Sequence, residues 1–294
     1  MKLKKIFICA ALASLILVLG ACSGGTSSSN NAASGSAGSA SVQAANQNPT
    51  IQETVLLDDA GVKITATNFD SKASLGATVK LLIENNSGQD LIVQARNSSV
   101  NGYMVDTMLS CSIADGKKAN DTLVFARSDL NLSGIQTVAS MQFSFHIFTQ
   151  DGWSAYLDSA LITLETSAAE NYEYAFPESG QKVFDAQGIA IFVRELSDNA
   201  SNLGPSIVVE IINSTDRNYT VQARDVAVNG FMVDPVFSRD VGAGKHAIDT
   251  VAFMKSALSD NDIQSIDEVS LSFHVFNWDN WMESIDSDTI TLSF

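Results

Sequence analysis

Cysteine, histidine and basic residues are scarce in this chain. Of its 294 residues, three are cysteine and three are histidine, and 17 basic residues stand against 33 acidic ones, for a formal net charge of −16. Three cysteines cannot form the disulfide scaffold of a chain this long. Three histidines leave little for a histidine-built metal or catalytic centre. Because a nucleic-acid partner requires a clustered basic surface, the composition predicts no nucleic-acid binding.

A long apolar run, Ile6 to Leu19, follows three lysines at the start of the chain. It is shorter than the roughly 20 residues that a membrane-spanning helix needs, so it predicts a secretory signal peptide. The run leads into Leu19-Gly20-Ala21-Cys22, which resembles the lipobox of bacterial lipoproteins. That resemblance implies cleavage after residue 21 and a lipid such as palmitate on Cys22. We therefore expect anchoring on the extracytoplasmic face of the cell membrane. The alternative is an ordinary signal peptide with a chance cysteine.

Residues 22–49 form a segment rich in Ser, Ala, Gly and Asn, with no charged and no aromatic residue. Such a composition cannot bury enough apolar surface to offset its chain entropy, so we predict a disordered stalk. A flexible coil of this length has a root-mean-square reach of about 30 Å. The stalk would therefore hold the rest of the chain away from the membrane surface.

The remainder of the chain is an internal duplication with an offset of 128 residues. The hexapeptide Asn101–Asp106 aligns with Asn229–Asp234, and the ungapped alignment from Ile83/Ile211 to Leu164/Leu292 has 34 identities in 82 pairs. We predict one domain over residues 50–166 and a second over residues 182–294. The linker between them, residues 167–181, is aromatic and acidic, so it is expected to pack against a domain rather than swing freely.

Each copy has the pattern of an all-β domain. Short stretches alternate between apolar and polar residues, as in Phe143 to Phe148 and Leu271 to Phe276. The Asn101-Gly102 and Asn229-Gly230 pairs predict type I′ hairpin turns, because both central residues of that turn need positive φ. Short helical turns with serine caps are expected at Ser128 and Ser256. Seven to nine strands in about 110 residues favour a β-sandwich in each copy.

The order of these features resembles the immunoglobulin-like modules of bacterial surface lipoproteins, similar in layout to the mycobacterial immunoprotective-antigen type. The resemblance rests on strand starts, the two Asn-Gly hairpins and the Gly-Lys turns at Gly116 and Gly244. It implies two tandem immunoglobulin-like sandwiches and an extracytoplasmic binding or assembly role. It supplies no catalytic residues.

Aromatic, histidine and aspartate side chains recur together in both copies and are the candidate ligand contacts. They are His146, Asp151, Trp153 and Tyr156 in the first copy and His274, Trp278, Asp279 and Trp281 in the second. Such groups stack on and hydrogen-bond to a glycan or a peptide. The competing interpretation of a tryptophan present in both copies, which we favour, is a plug at the end of the sandwich core. For the two mid-strand histidines, a half-exposed structural residue is favoured, and His246 is assigned to a turn.

No motif indicates an enzyme or a cofactor. Gly-x-Ser-x-Gly and phosphate-binding glycine loops are absent from residues 50–294. The acidic run Asp260–Asp262 does not match the pattern of a calcium-binding loop, so a weak calcium site there is possible but not favoured. Cys111 would be the only thiol of the mature chain, and its strand pattern predicts a semi-buried small apolar residue rather than a reactive or dimerising thiol. The sequence thus predicts a non-enzymatic envelope protein with a binding or scaffolding role toward a protein or glycan, and a hydrolase is a remote alternative.

Overall fold

A computed structural model describes residues 48–176 and 179–294. Nearly all of their regular structure is β-strand, with two six-residue α-helices and one three-residue 3-10 helix at Ala169–Asn171. This confirms the all-β prediction. No helix in these two ranges is long and apolar enough to cross a membrane. The expected signal peptide, Cys22 and the stalk up to residue 47 lie outside the described residues.

Copy 1, residues 50–166, contains eleven strands and one helix. They are β1 (Thr54–Asp59), β2 (Val62–Asp70), β3 (Gly76–Asn85), β4 (Leu91–Val100), β5 (Tyr103–Met104), β6 (Thr107–Met108), β7 (Ser110–Ile113), β8 (Lys117–Ala126), α1 (Arg127–Leu132), β9 (Ser140–Thr149), β10 (Ala155–Asp158) and β11 (Ile162–Glu165). One sheet has the order β1-β2-β3-β8-β6, and in the other β4 pairs with β5, β7 and β9, and β9 with β10 and β11.

Copy 2, residues 182–294 together with Gln181, repeats this order strand for strand. Its elements are β12 (Gln181–Ala186), β13 (Ile189–Ser197), β14 (Ser206–Asn213), β15 (Tyr219–Val228), β16 (Phe231–Met232), β17 (Pro235–Val236), β18 (Ser238–Val241), β19 (His246–Phe253), α2 (Lys255–Asp260), β20 (Glu268–Asn277), β21 (Ser284–Asp286) and β22 (Ile290–Ser293). The pairings are those of copy 1, strand for strand.

Each copy has its own hydrophobic core between its two sheets. In copy 1 the predicted alternation on β9 holds, because Phe143, Phe145 and Ile147 are fully buried while His146 lies on the opposite face. Cys111 on β7 is buried in the same core, more completely than the semi-buried position that was predicted. Burial raises the pKa of the Cys111 thiol to about 12, so it remains protonated at neutral pH.

Both Asn-Gly pairs form the predicted hairpin turns. Asn101 and Gly102 have φ of 51° and 88°, and Asn229 and Gly230 have φ of 49° and 85°. All four values lie in the left-handed region that a type I′ turn requires. The helices also occur where expected, but neither is capped by serine. Their N-cap residues are Ala126 and Met254, and neither makes a side-chain cap hydrogen bond.

The β4–β5 hairpin of copy 1 joins copy 1 to copy 2, and the equivalent β15–β16 hairpin of copy 2 does not. β5 pairs in parallel with β19 at Tyr103 and His246, and the His246 amide donates to the Gly102 carbonyl at 3.0 Å. The Tyr103 side chain packs with Val208 and Ile248 of copy 2. The pairing of β5 with β19 joins one sheet of copy 1 and one sheet of copy 2 into a continuous eleven-stranded sheet.

A buried arginine on β18 adds an electrostatic contact between the copies. Arg239 donates from Nη1 to Asp106 Oδ1 at 2.8 Å and from Nη2 to the Met104 carbonyl at 3.0 Å. Asp129 and Asp249 lie 3.5 and 3.7 Å from the same guanidinium. Burial alone lowers the pKa of Arg239, but the three carboxylates outweigh it and raise that pKa above its ordinary value. Arg239 is therefore a fixed positive charge shared by both copies.

A second polar cluster lies beside Tyr103. Glu210 is fully buried, accepts a hydrogen bond from Arg194 Nη2 at 2.7 Å, and lies 3.1 Å from His246 Nδ1. The ring of Phe176, in the linker, stacks on His246 with centroids 4.4 Å apart. His246 is the first residue of strand β19. The prediction that it lies in a turn was therefore wrong. The linker packs against the folded part, as its aromatic residues suggested.

Candidate functional site

The predicted ligand contacts lie along the outer face of the β4–β9 sheet in copy 1 and of the β15–β20 sheet in copy 2. His146 is on β9, Asp151 and Trp153 are in the loop that follows it, and Tyr156 is on β10. His274 is on β20, and Trp278, Asp279 and Trp281 are in the following loop. Tyr156 does not join the others, because its hydroxyl donates to the Ala60 carbonyl at 2.7 Å.

The two histidines have the same environment in both copies. His146 Nδ1 lies 2.5 Å from Asp158 Oδ1, and His274 Nδ1 lies 2.5 Å from Asp286 Oδ1. Each aspartate reaches its histidine because β10 or β21 pairs antiparallel with the histidine strand in that register. Each histidine is mostly buried, while each aspartate is largely exposed.

A glutamine and an arginine extend this row on the neighbouring strand. Gln94 lies directly opposite His146, and Gln222 opposite His274. The Arg96 guanidinium contacts Gln94 Oε1 at 3.5 Å, and Arg224 contacts Gln222 at 3.4 Å. Both arginines are exposed, and neither forms a salt bridge within the described residues.

These residues define one surface in each copy, which we name the polar strip. The strip of copy 1 is Gln94, Arg96, His146 and Asp158, and that of copy 2 is Gln222, Arg224, His274 and Asp286. The histidines were recognisable in the sequence as candidate contacts, but their adjacency to the aspartates, glutamines and arginines was not. Their identity at the 128-residue offset was the available signal, and the strand register shows that they meet.

Aromatic residues continue each strip toward the end of the histidine strand. Phe148 lies 5.4 Å from the His146 ring, and Phe276 lies 5.5 Å from His274, both at 34°. Trp153 then stacks on Phe148 with centroids 5.3 Å apart and an angle of 21°. In copy 1 the ring contacts thus run from the exposed Trp153 through the buried Phe148 to His146.

The tryptophans do not plug the cores, which corrects the interpretation favoured from the sequence. Trp153 and Trp281 are each 73% exposed. Trp278 is half-buried at the boundary between the copies, and its buried Nε1 has no hydrogen-bond partner among the described residues. Two large aromatic side chains at equivalent exposed positions are available for stacking.

The arginine and the aspartate of each strip are retained although they are exposed. Buried positions stay alike in a duplicated fold because both cores must pack, but exposed substitutions change stability little and are free to diverge. Other exposed positions do diverge, since Asn97 corresponds to Asp225 and Ser112 to Asp240. All four strip positions are nevertheless identical. Packing alone does not explain that identity.

An open cleft of about 480 Å³ lies between the copies, next to the arginine end of the first strip. It is lined by Ala95, Arg96, Asn97, Ser98, Met104, Val105, Asp106, Thr107, Ser238, Arg239, Asp240 and Trp278. Burial raises the pKa of nearby Asp249 above its ordinary range, against the opposing effect of Arg239. The cleft carries both charges, because Arg96, Arg239, Asp106 and Asp240 line it, and Arg96 is its exposed cation.

The arrangement is suited to binding by hydrogen bonds and stacking. Within the described ranges, no serine or cysteine hydrogen-bonds to His146 or His274, which a nucleophile–histidine pair would require. The same part of the chain contains no group of three or more His, Cys, Asp or Glu residues placed to hold a metal ion. The weak calcium site considered at Asp260–Asp262 thus has no such cluster around it.

Comparisons with known proteins do not assign this chain to a family. No protein-family model and no curated protein matches it. Among solved structures, it is similar to the crystal structure of the YadV chaperone, with 11% sequence identity, a TM-score of 0.25, and coverage of 73% of this chain and 92% of that one. That TM-score is too low to support an argument about fold or function.

Proposed function

We propose that the protein is a lipid-anchored binding protein of the extracytoplasmic membrane face, with two equivalent ligand sites built on the polar strips. The two immunoglobulin-like sandwiches serve as the scaffold of these sites. The observation that carries the proposal is the identity of all four strip residues in both copies, the exposed arginines and aspartates included, with the same histidine–aspartate geometry. The membrane location rests on the lipobox resemblance at Cys22 and on the composition of the stalk.

A saccharide is the ligand class that best fits the strips. An exposed tryptophan stacks on the apolar face of a sugar ring, while glutamine, histidine and aspartate hydrogen-bond to its hydroxyls. From the level of Phe148 to that of Ser144, opposite Arg96, the strip extends over about 13 Å at the rise of a β-strand. That length accommodates a short oligosaccharide.

Arg96 and Arg224 favour an acidic saccharide over a neutral one. Each is an exposed cation without a salt bridge in the described part of a strongly acidic protein, at the end of the strip opposite Phe148 or Phe276. A planar guanidinium binds a carboxylate with two parallel hydrogen bonds. A glycan with a carboxylate or phosphate group would thus use the full length of the strip.

The test is calorimetry of the full chain with Cys22→Ala against defined envelope oligosaccharides, in neutral and acidic forms. We expect two sites per chain in this parent, one after either Trp153→Ala or Trp281→Ala, and none when both are changed. Tyr174→Ala, which removes an exposed aromatic residue outside the strips, is the matched control. No heat with any oligosaccharide, or two sites in the double variant, contradicts the saccharide proposal.

The anchor is tested separately by the location of the protein in cells. Cys22→Ala should move the protein out of the membrane fraction and abolish acyl labelling, because a buried acyl chain contributes about 0.8 kcal/mol per CH₂ to membrane binding. Membrane retention of the variant contradicts the anchor without bearing on the ligand sites.

A further inference from the structure

The Asn-Gly hairpin occurs twice with the same internal structure. We name Asn101–Asp106 the docked hairpin and Asn229–Asp234 the free hairpin; they differ only by Tyr103 against Phe231. In each, the asparagine side chain accepts two backbone amide hydrogen bonds at 2.9–3.0 Å and donates one at 2.7 Å. The same asparagine hydrogen bonds therefore hold both turns, whether or not the hairpin is docked.

The docked hairpin shows how this element binds a β-sandwich. Tyr103 and Met104 are only 6% and 7% exposed, and Met104 belongs to the core cluster of copy 2. The Gly102 carbonyl accepts the His246 amide, and Asp106 accepts from the edge arginine Arg239. Docking thus combines an aromatic anchor, a buried methionine, one backbone hydrogen bond and one ion pair.

The free hairpin presents the same groups to solvent. Phe231 and Met232 are 49% and 67% exposed, and Asp234 is exposed without an ion pair in the described residues. A Cβ added at Gly102 would meet the Phe176 ring at 2.8 Å, whereas one added at Gly230 would meet nothing within 4 Å. The free hairpin is thus a docking element without its acceptor.

A second copy of this chain does not offer that acceptor. The acceptor on copy 2 consists of Val208, Ile248, His246 and Arg239, and the docked hairpin already covers it. The corresponding residues of copy 1 are Lys80, Asn120, Lys118 and Cys111. That face is polar and lacks the arginine, and Asp121 occupies the position of Asp249, so Asp234 would meet a carboxylate there.

We propose that the free hairpin docks onto a β-sandwich of another polypeptide in which one sheet offers two aliphatic side chains and an edge strand of the other sheet offers an arginine, as the acceptor of copy 2 does. Such a contact is head-to-tail, because the donor and acceptor surfaces differ. It would place a third sandwich after copy 2 in the arrangement that copy 2 has after copy 1. This surface is separate from the polar strips, so it does not depend on the proposed function.

In the first test, substitutions expose the acceptor of copy 2 in the full chain with Cys22→Ala. Sedimentation then measures self-association of the chain. Tyr103→Asp with Asp106→Asn removes the docked hairpin from the acceptor. We expect this variant to self-associate with a half-point of about 10–100 μM, as small interfaces do, while the parent remains monomeric. Adding Phe231→Asp should abolish the association. Association that survives Phe231→Asp, or a folded variant that stays monomeric, overturns the proposal.

The second test transplants the acceptor and leaves the docked hairpin intact. Lys80→Val, Asn120→Ile, Lys118→His and Cys111→Arg give copy 1 the acceptor residues of copy 2. This chain should form concentration-dependent head-to-tail multimers through the free hairpin, and Phe231→Asp should return it to monomers. Circular dichroism establishes that each variant is folded. A folded variant without multimers, or multimers insensitive to Phe231→Asp, overturns the proposal.

Discussion

The docked and free hairpins have the same turn and almost the same residues but opposite surroundings. Tyr103 is buried against Val208 and Ile248, whereas Phe231 at the equivalent position is half-exposed. The difference lies in what each hairpin faces. The docked hairpin lies against aliphatic side chains of copy 2, whereas the free hairpin faces solvent. A local motif therefore determines the shape of the hairpin, and its partner determines whether that shape is buried.

The largest effect should come from removing the buried charge that holds the docked hairpin. Arg239→Ala leaves Asp249 and Asp129 without their cation in a largely desolvated position, so we expect a loss of about 3–4 kcal/mol in the free energy of unfolding. Urea denaturation of the full chain with Cys22→Ala measures it. Arg224→Ala, on the exposed strip, is the control and should change stability little. A loss below 1 kcal/mol for Arg239→Ala would contradict the assigned role of this residue.

A direct comparison of the hairpins should give the next largest effect. Tyr103→Ala removes a buried aromatic ring and should cost about 3 kcal/mol, whereas Phe231→Ala should cost less than about 0.5 kcal/mol because its ring is half-exposed. Denaturation of the two variants under identical conditions provides the test. Equal losses would show that the hairpins do not differ as described.

The smallest expected effect concerns pH and the polar cluster beside the docked hairpin. Burial alone raises the pKa of Glu210, but the hydrogen bonds from His246 and Arg194 outweigh it and hold that pKa below its ordinary value. A carboxyl group with a lowered folded-state pKa stabilises the fold above its unfolded pKa, and the contribution is lost as the pH falls through the folded pKa. Glu210→Gln should therefore cost about 2 kcal/mol at pH 7, and progressively less below the ordinary glutamate pKa.

Denaturation of the parent and of Glu210→Gln at several pH values in this acidic range measures the difference in their free energies of unfolding, which should become smaller as the pH falls. The control is Leu82→Gln at the equivalent position of copy 1, where no titratable group stands. Its stability difference from the parent should not narrow in the same way. A constant difference for Glu210→Gln across the range would contradict the contribution of the ionised carboxylate.

Local pattern was enough to predict much of this architecture. Alternation on β9 indicated which of Phe145 and His146 points into the core, and both Asn-Gly pairs indicated turns with positive φ. These features depend on neighbouring residues along the chain, so the sequence contains their cause.

The candidate site was only partly predictable because its members come from three strands. The histidines and tryptophans were recognised, but Asp158 and Gln94 meet His146 through strand register, which the sequence alone does not display. The tryptophans were assigned to the core because large aromatic residues are usually buried. Whether Trp153 is covered depends on what packs over the loop, and nothing there covers it except its stacking on Phe148.

By itself, the sequence determined the duplication, the all-β character and the two Asn-Gly hairpins, because each depends on residue order and on local backbone preference. Only the tertiary structure decided that Tyr103 is buried while Phe231 is exposed, that His246 begins a strand between the copies, and that Arg239 is shared by both. The physical reason is that burial and ion pairing depend on which surface lies opposite a residue in space. For these residues that surface lies more than a hundred residues away along the chain.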